Sequence, residues 1–203
     1  MREKSWGRIF MDAEKSLLRA EGRSLRDRLS ESFRTQASER ILEFLLGCRE
    51  YQCVRQIFLF CTLGSEPQTA SWMERFWRDG KSVSCPRTQE KRRMDFYEIQ
   101  RKEDLLPGRY GILEPAEACP GSIPDADTWI LTPGLWFDDR GYRIGYGGGF
   151  YDRYMERFPM AHYIGVGFAC QRRNERWHLG PFDRRLERLV TEQGVYFFEE
   201  VGE

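Results

Sequence analysis

Positions 143–154 read Arg-Ile-Gly-Tyr-Gly-Gly-Gly-Phe-Tyr-Asp-Arg-Tyr. Glycine inside an ordered element costs ~1 kcal/mol relative to alanine, so such a cluster needs a reason: a tight turn, a flexible linker or a backbone that approaches a ligand closely. Gly145, Gly147, Gly148 and Gly149 let backbone N–H groups converge on an anion, and a following helix adds the positive end of its dipole. Arg143 can fork onto phosphate oxygens. Asp152, in the first turn of the expected helix, suits Mg²⁺ held partly through water. The pattern alone also fits a solvent-exposed glycine turn with an aspartate well placed at a helix start. It is not a P-loop, because Gly-Lys-Ser/Thr is missing, and not the dinucleotide fingerprint, because no βαβ unit opens around it.

The elements that must position these residues can be read along the chain. Leu17, Leu18, Leu25 and Leu29 recur at helical spacing over 13–29, and Phe33, Ala37, Ile41, Leu42 and Leu45 do so over 31–46. The apolar run 54–62 predicts a buried strand, 67–80 a helix with Met73, Phe76 and Trp77 inward, and 81–86 a strand closed by Pro86. This is the order of a right-handed parallel crossover. Further strands are expected at 94–99, 128–132, 161–168 and 194–199, a helix at 150–157, and an extended surface connection over 103–126. The alternation implies one three-layer α/β/α domain over 1–203 with a largely parallel or mixed sheet. Ligands of open α/β sheets bind beyond the carboxyl ends of the strands, where the glycine cluster would lie.

Bulk composition narrows the function. Acidic and basic residues balance at 32 each, so nothing pulls the whole chain toward nucleic acid or an anionic membrane, and the basic stretch 87–93 is one short loop, not a stripe. Neither an apolar run long enough to span a bilayer nor a signal-peptide core is visible. Six cysteines without a Cys-x-x-Cys pair read as reduced thiols of a cytoplasmic protein. With only His162 and His178, a zinc site or a histidine-based triad is disfavoured. Lysine supplies only five of the 32 basic residues, which singles out a lysine at a special spot.

Residues 132–154, with Pro133, Gly134, Phe137, Asp138, Arg143, Gly145, Gly147, Gly149, Phe150, Tyr151 and Asp152, resemble the signature of the 5-formyltetrahydrofolate cyclo-ligase family. The resemblance extends to Lys15, Leu18 and Arg19 on the first helix, to Glu66 and Thr69, to Met94 and Phe96, to 111–115, and to Asp183 and Thr191. Three departures stand out: Pro181 lies two residues before Asp183, with His178 nearer where a proline is expected; Glu187 stands where aspartate is common; and Trp136 replaces a usually small residue. Trp136 is expected to fill core in preference to stacking on a pterin. Glu66 also has a structural reading, as an acid complementing a helix N-terminus capped by Ser65 with Gln68 or Thr69.

The resemblance implies the fold of sugar-phosphate isomerases and coenzyme A transferases, and closure of 5-formyltetrahydrofolate to 5,10-methenyltetrahydrofolate at the expense of ATP. It implies Lys15 and Arg143 as catalytic groups and an ATP site of Lys15, Arg19, Arg143, Gly145, Tyr146, Gly147, Gly148, Gly149, Phe150 and Tyr151. It further implies folate contacts from Glu66, Gly149, Phe150 and Tyr151, and Mg²⁺ on Asp152 and Asp183. The expected partners are small molecules, without nucleic acid or membrane, acting on a monomer. A non-catalytic member binding reduced folate or nucleotide is the alternative.

Overall fold

The computed structural model describes residues 2–198, with side chains from Met11 onward except that of Tyr110. Helix α1 (Arg2–Asp27) begins well before residue 13, because its first turns carry no leucine stripe for periodicity to detect. Ser30 caps α2 (Glu31–Gly47), accepting a hydrogen bond from the Phe33 N–H at 3.1 Å. Strand β1 (Gln56–Phe58) is much shorter than the apolar run that announces it. There follow α3 (Ala70–Arg78), β2 (Ser82–Thr88), β3 (Met94–Ile99), β4 (Leu105–Pro107), β5 (Leu113–Pro115), β6 (Gly121–Ser122) and β7 (Thr128–Pro133). The chain continues through β8 (Trp136–Asp138), β9 (Arg143–Ile144), α4 (Phe150–Arg157), β10 (His162–Val166), β11 (Arg172–Arg173), β12 (Arg188–Thr191) and β13 (Gly194–Phe197).

The main sheet runs β13-β12-β10-β7-β1-β2-β3-β6. Its central strands are parallel, and antiparallel pairs finish both ends: β12 with β13, β2 with β3, and β3 with β6. Successive strand residues face opposite layers. Thus Ile57, Trp129 and Leu131 pack with Ala37, Ile41 and Leu45 of α2 and with Trp72, Met73 and Phe76 of α3. Phe58 and Ile130 face the other way, onto Tyr154 and Met155 of α4. This is the expected three-layer arrangement. Phe58 stacks on Phe96 with ring centroids 4.7 Å apart, and burying each such side chain stabilises the fold by ~1.5–3 kcal/mol.

Three expectations change. Strand β2 passes through Pro86 to Thr88. Its parallel partner β1 ends opposite Ser84, so the missing Pro86 N–H leaves no gap in the β1–β2 ladder. The stretch 103–126 is not purely extended connection: β4 pairs with β5, and β6 joins β3. The four-residue strand β12, fully buried but headed by an arginine, gives no alternating signal and went unpredicted. Residue 199, the end of the last predicted strand, lies outside the described residues. Among those residues no helix is long and apolar enough to cross a membrane.

Candidate active site

Helix α1 contacts β8 and β9, and one close approach fixes it there. Trp136 donates its indole N–H to the Leu18 carbonyl at 2.7 Å, and a Cβ on Gly22 would come within 2.7 Å of the same nitrogen. Trp136 is buried, with the Arg173 guanidinium 4.7 Å above its ring, so it is a packing residue as expected. On α1, Lys15, Arg19 and Arg26 lie four and eleven residues apart, close to one and three helical turns, and so share a face. That face meets the glycine loop and its surroundings.

Arg19 Nε donates to the Gly145 carbonyl at 3.1 Å. Its guanidinium lies 3.3 Å from where a Cβ of Gly147 would stand, and Gly147 has φ +95°, a left-handed conformation that disfavours a side chain. Gly149, φ +64°, is the N-cap of α4. In the first turn of that helix the Asp152 carboxylate accepts from Arg143 Nη1 at 3.1 Å and from the Arg184 N–H at 3.3 Å, both at Oδ1. Lys15 is buried and pairs through Nζ with Asp183 Oδ2, which also accepts the Gly180 N–H at 2.8 Å. Since Arg184 follows Asp183 directly, the two aspartates share one end of α4, each with one carboxylate oxygen that has no protein partner among the described residues.

The third component is a buried network around Glu66. Tyr146 of the glycine loop donates its hydroxyl to Glu66 Oε1 at 2.8 Å and accepts from Arg26 Nη2 at 2.5 Å. Glu66 Oε2 accepts the Leu63 N–H at 2.9 Å, and Arg26 Nη1 stands 3.7 Å from Oε1. Arg26 Nε donates to Ser65 Oγ at 3.0 Å, and that hydroxyl donates to Asp27. Burial pushes the Glu66 carboxyl up from its ordinary value, against the pull of Arg26, the Leu63 N–H and Tyr146. Burial and the nearby Glu66 charge likewise push up both the Tyr146 and Tyr151 hydroxyls. The Tyr151 hydroxyl is buried without a hydrogen-bond partner. Its ring meets Phe96 edge-on at 6.4 Å.

The glycine loop is thus held by Arg19, with Asp152 and Asp183 near it and the buried Glu66 carboxyl bonded to its Tyr146. Residues 11–174 match the model of the 5-formyltetrahydrofolate cyclo-ligase family. The chain belongs to that family. A 5-formyltetrahydrofolate cyclo-ligase of Haemophilus influenzae is 29% identical over 175 residues, covering 82% of this chain and 94% of the relative. That of Escherichia coli is 30% identical over 145 residues, covering 69% of this chain and 79% of its own. The solved structure of 5,10-methenyltetrahydrofolate synthetase from Aquifex aeolicus superposes with a TM-score of 0.79 at 28% identity, covering 93% of this chain and 95% of that one.

Of the sequence-predicted residues, Lys15 meets Asp183, Arg19 meets Gly145, Arg143 meets Asp152 and lies 5.7 Å from the Tyr151 ring, and Glu66 meets Tyr146. The capping role offered for Ser65 is overturned. Thr69 is the N-cap of α3 without a side-chain cap bond, and Ser65 instead joins Arg26 to Asp27. Arg26 itself escaped the sequence reading, although its helical spacing from Lys15 was the available signal. Among the described residues no cluster of three or more acidic, histidine or cysteine side chains is built to hold a metal. Two carboxylates with one oxygen each to spare still match the way Mg²⁺ is bound, by one or two carboxylates with waters and substrate phosphates.

Proposed function

We propose that this chain joins ATP and 5-formyltetrahydrofolate to give 5,10-methenyltetrahydrofolate, ADP and phosphate. The observation that carries the reading is the hold on one glycine loop at two points, by Arg19 at Gly145 and by Glu66 at Tyr146. Lys15, Arg19 and Arg143 offer cations for a triphosphate, and Glu66 with Phe150 and Tyr151 offers a buried carboxyl and aromatic rings for a pterin.

The formyl oxygen is part of an amide and is a poor leaving group. Transfer of the γ-phosphoryl group to it leaves ADP and an N5-iminium phosphate. N10 then attacks the formyl carbon and loses its proton, the C–O bond breaks, and phosphate departs. The protein's work in such a transfer is mostly positioning and charge neutralisation. Lys15, Arg19 and Arg143 offset phosphate charge. Gly145, Gly147, Gly148 and Gly149 bring the loop backbone close to the transferred group. Glu66 orients the folate, with Gly149, Phe150 and Tyr151 packing against it. Asp152 and Asp183 would hold Mg²⁺, which supplies charge neutralisation when bound. This reading treats 1–203 as one catalytic unit, a cytoplasmic monomer with small-molecule partners; its cysteines are all free thiols.

The test is direct. With ATP, Mg²⁺ and 5-formyltetrahydrofolate the protein should develop the methenyl chromophore and release one ADP per product. ADP release without the folate, or folate binding without product, would sink the proposal.

A further inference from the structure

Helix α1 carries a third buried cation to which the reading above gives no task. Lys15 and Arg19 are assigned to phosphate. Arg26, about two helical turns beyond Arg19, is only 2% exposed. A guanidinium stays charged when buried, so each of its donors needs an acceptor. Nε has Ser65 Oγ at 3.0 Å and Nη2 has the Tyr146 hydroxyl at 2.5 Å. Nη1 is buried without a hydrogen-bond partner. It stands 3.7 Å from Glu66 Oε1, just beyond bonding distance.

Glu66 is equally buried, and the acceptor count on it is informative. An ionised carboxyl offers about four acceptor positions. The Tyr146 hydroxyl takes one on Oε1 and the Leu63 N–H one on Oε2. A short approach by Arg26 Nη1 fills a third, leaving room for an N–H group of a bound molecule. The charged and titratable groups around the carboxyl come from several elements. Arg26 comes from α1, with Asp27 one hydroxyl removed through Ser65. Tyr146 comes from the glycine loop, with the Arg23 guanidinium 5.5 Å over its ring. The Tyr151 hydroxyl of α4 feels the Glu66 charge. Burial favours the neutral carboxyl, and Arg26 is the strongest influence against it.

We propose that Arg26 is a positioning residue of the folate reaction: acting through Tyr146 and through its own Nη1, it holds Glu66 aimed and ionised to accept an N–H of the folate. It does not itself touch the substrate. The inference rests on the folate role proposed for Glu66 and deepens it. One helix thereby presents Lys15 and Arg19 to the nucleotide and sets the charge of the group that receives the folate.

The experiment measures calorimetric dissociation constants for 5-formyltetrahydrofolate without ATP, from pH 5 to 9, in the wild type, Arg26→Gln, Arg26→Lys and Glu66→Gln. Folate binding should weaken on the acid side as Glu66 takes a proton. The folate's own titrations are common to all four proteins and cancel in the comparison. Arg26→Gln should move the acid limb up by about 1–3 pH units, the usual influence of one opposite charge at this range. Arg26→Lys keeps the charge and loses the fork, so its limb should stay near the wild-type pH while affinity above it falls. Glu66→Gln should show no Glu66 limb at all. Where Arg26→Gln does not fold, the other two variants decide: the limb must vanish in Glu66→Gln and hold its pH in Arg26→Lys. A limb unmoved in Arg26→Gln, moved as far by Arg26→Lys, or persisting in Glu66→Gln would overturn the role, and weaker binding without a moved limb would make Arg26 a packing residue. A limb that moves as expected without any methenyl product would count against the reaction and leave the role of Arg26 standing; normal turnover with an unmoved limb would do the reverse.

Discussion

Tyr146, in the middle of the glycine loop, donates its hydroxyl to Glu66 across 80 residues of sequence, at 2.8 Å. The contact ties the loop after β9 to the loop after β1, and Arg26 of α1 closes the triangle. Three elements distant in the chain therefore meet on one phenol. Tyr146→Phe keeps the ring but strips a hydrogen-bond partner from two buried ionisable groups, Glu66 and Arg26. The expected loss is ~1–3 kcal/mol of stability, the usual cost of leaving such groups under-satisfied. Thermal unfolding should show a lowered Tm, and steady-state kinetics a larger rise in KM for the folate than for ATP. An unchanged Tm would mean that the network does not hold the loop.

Glu66 supplies a pH-dependent prediction. Burial raises its carboxyl above the ordinary 4.5, so the fold favours the neutral form. Its contribution to stability is fully present below the unfolded value and is lost as pH rises through the raised folded value. Glu66→Gln cannot ionise. The variant's stability relative to the wild type should therefore improve as pH rises from 4.5 upward, read from denaturant unfolding across the range. A flat difference would place the Glu66 carboxyl at its ordinary value and assign the pairing with Arg26 the dominant role.

Much of this arrangement was legible before the structure. The glycine cluster, its arginine and its aspartate need unusual residue types at fixed spacing, and the strands around them have distinct apolar patterns. Lys15 is singled out by the family resemblance; its spacing alone fits a solvated helix face. What escaped was whatever depends on tertiary proximity alone. Arg26 looks like any helix-surface arginine until Ser65 and Tyr146 are brought against it. Strands β8, β9 and β11 have two or three residues each, too few to show a period, and exist because they pair with one another across the sheet's carboxyl end. The cap expected at Ser65 failed because α3 begins at Ala70 with Thr69 in the N-cap position, too far along the chain for the Ser65 hydroxyl to serve its first N–H groups.

Arg143 is buried and holds Asp152 at 3.1 Å, so its guanidinium is already oriented before any substrate arrives. If it neutralises charge on the transferred phosphoryl group, Arg143→Ala should lower kcat by ~10²–10³-fold, the usual effect of deleting one preorganised transition-state contact. Arg143→Lys should recover only part of the loss, because an ammonium lacks the planar fork. The methenyl chromophore measures both. Near-normal turnover of the alanine variant would remove Arg143 from the mechanism.

Gly22 sets two opposing effects against each other. Inside an exposed helix, replacing glycine by alanine stabilises by up to ~1 kcal/mol. At Gly22 the new Cβ would lie 2.7 Å from Trp136 Nε1 and 3.0 Å from the Leu135 carbonyl, distances at which something must shift. Trp136 is buried against Leu135 and Ile144 and is held by its bond to Leu18, so it has little room to yield. Overpacking of this kind costs ~1–3 kcal/mol, which outweighs the propensity gain. Gly22→Ala should therefore lower Tm. Because the strain is relieved by moving α1, which carries Lys15 and Arg19, KM for ATP should rise while KM for the folate changes less. A Tm above the wild-type value would show that α1 is not seated on Trp136, and the positioning of both cations would need another explanation.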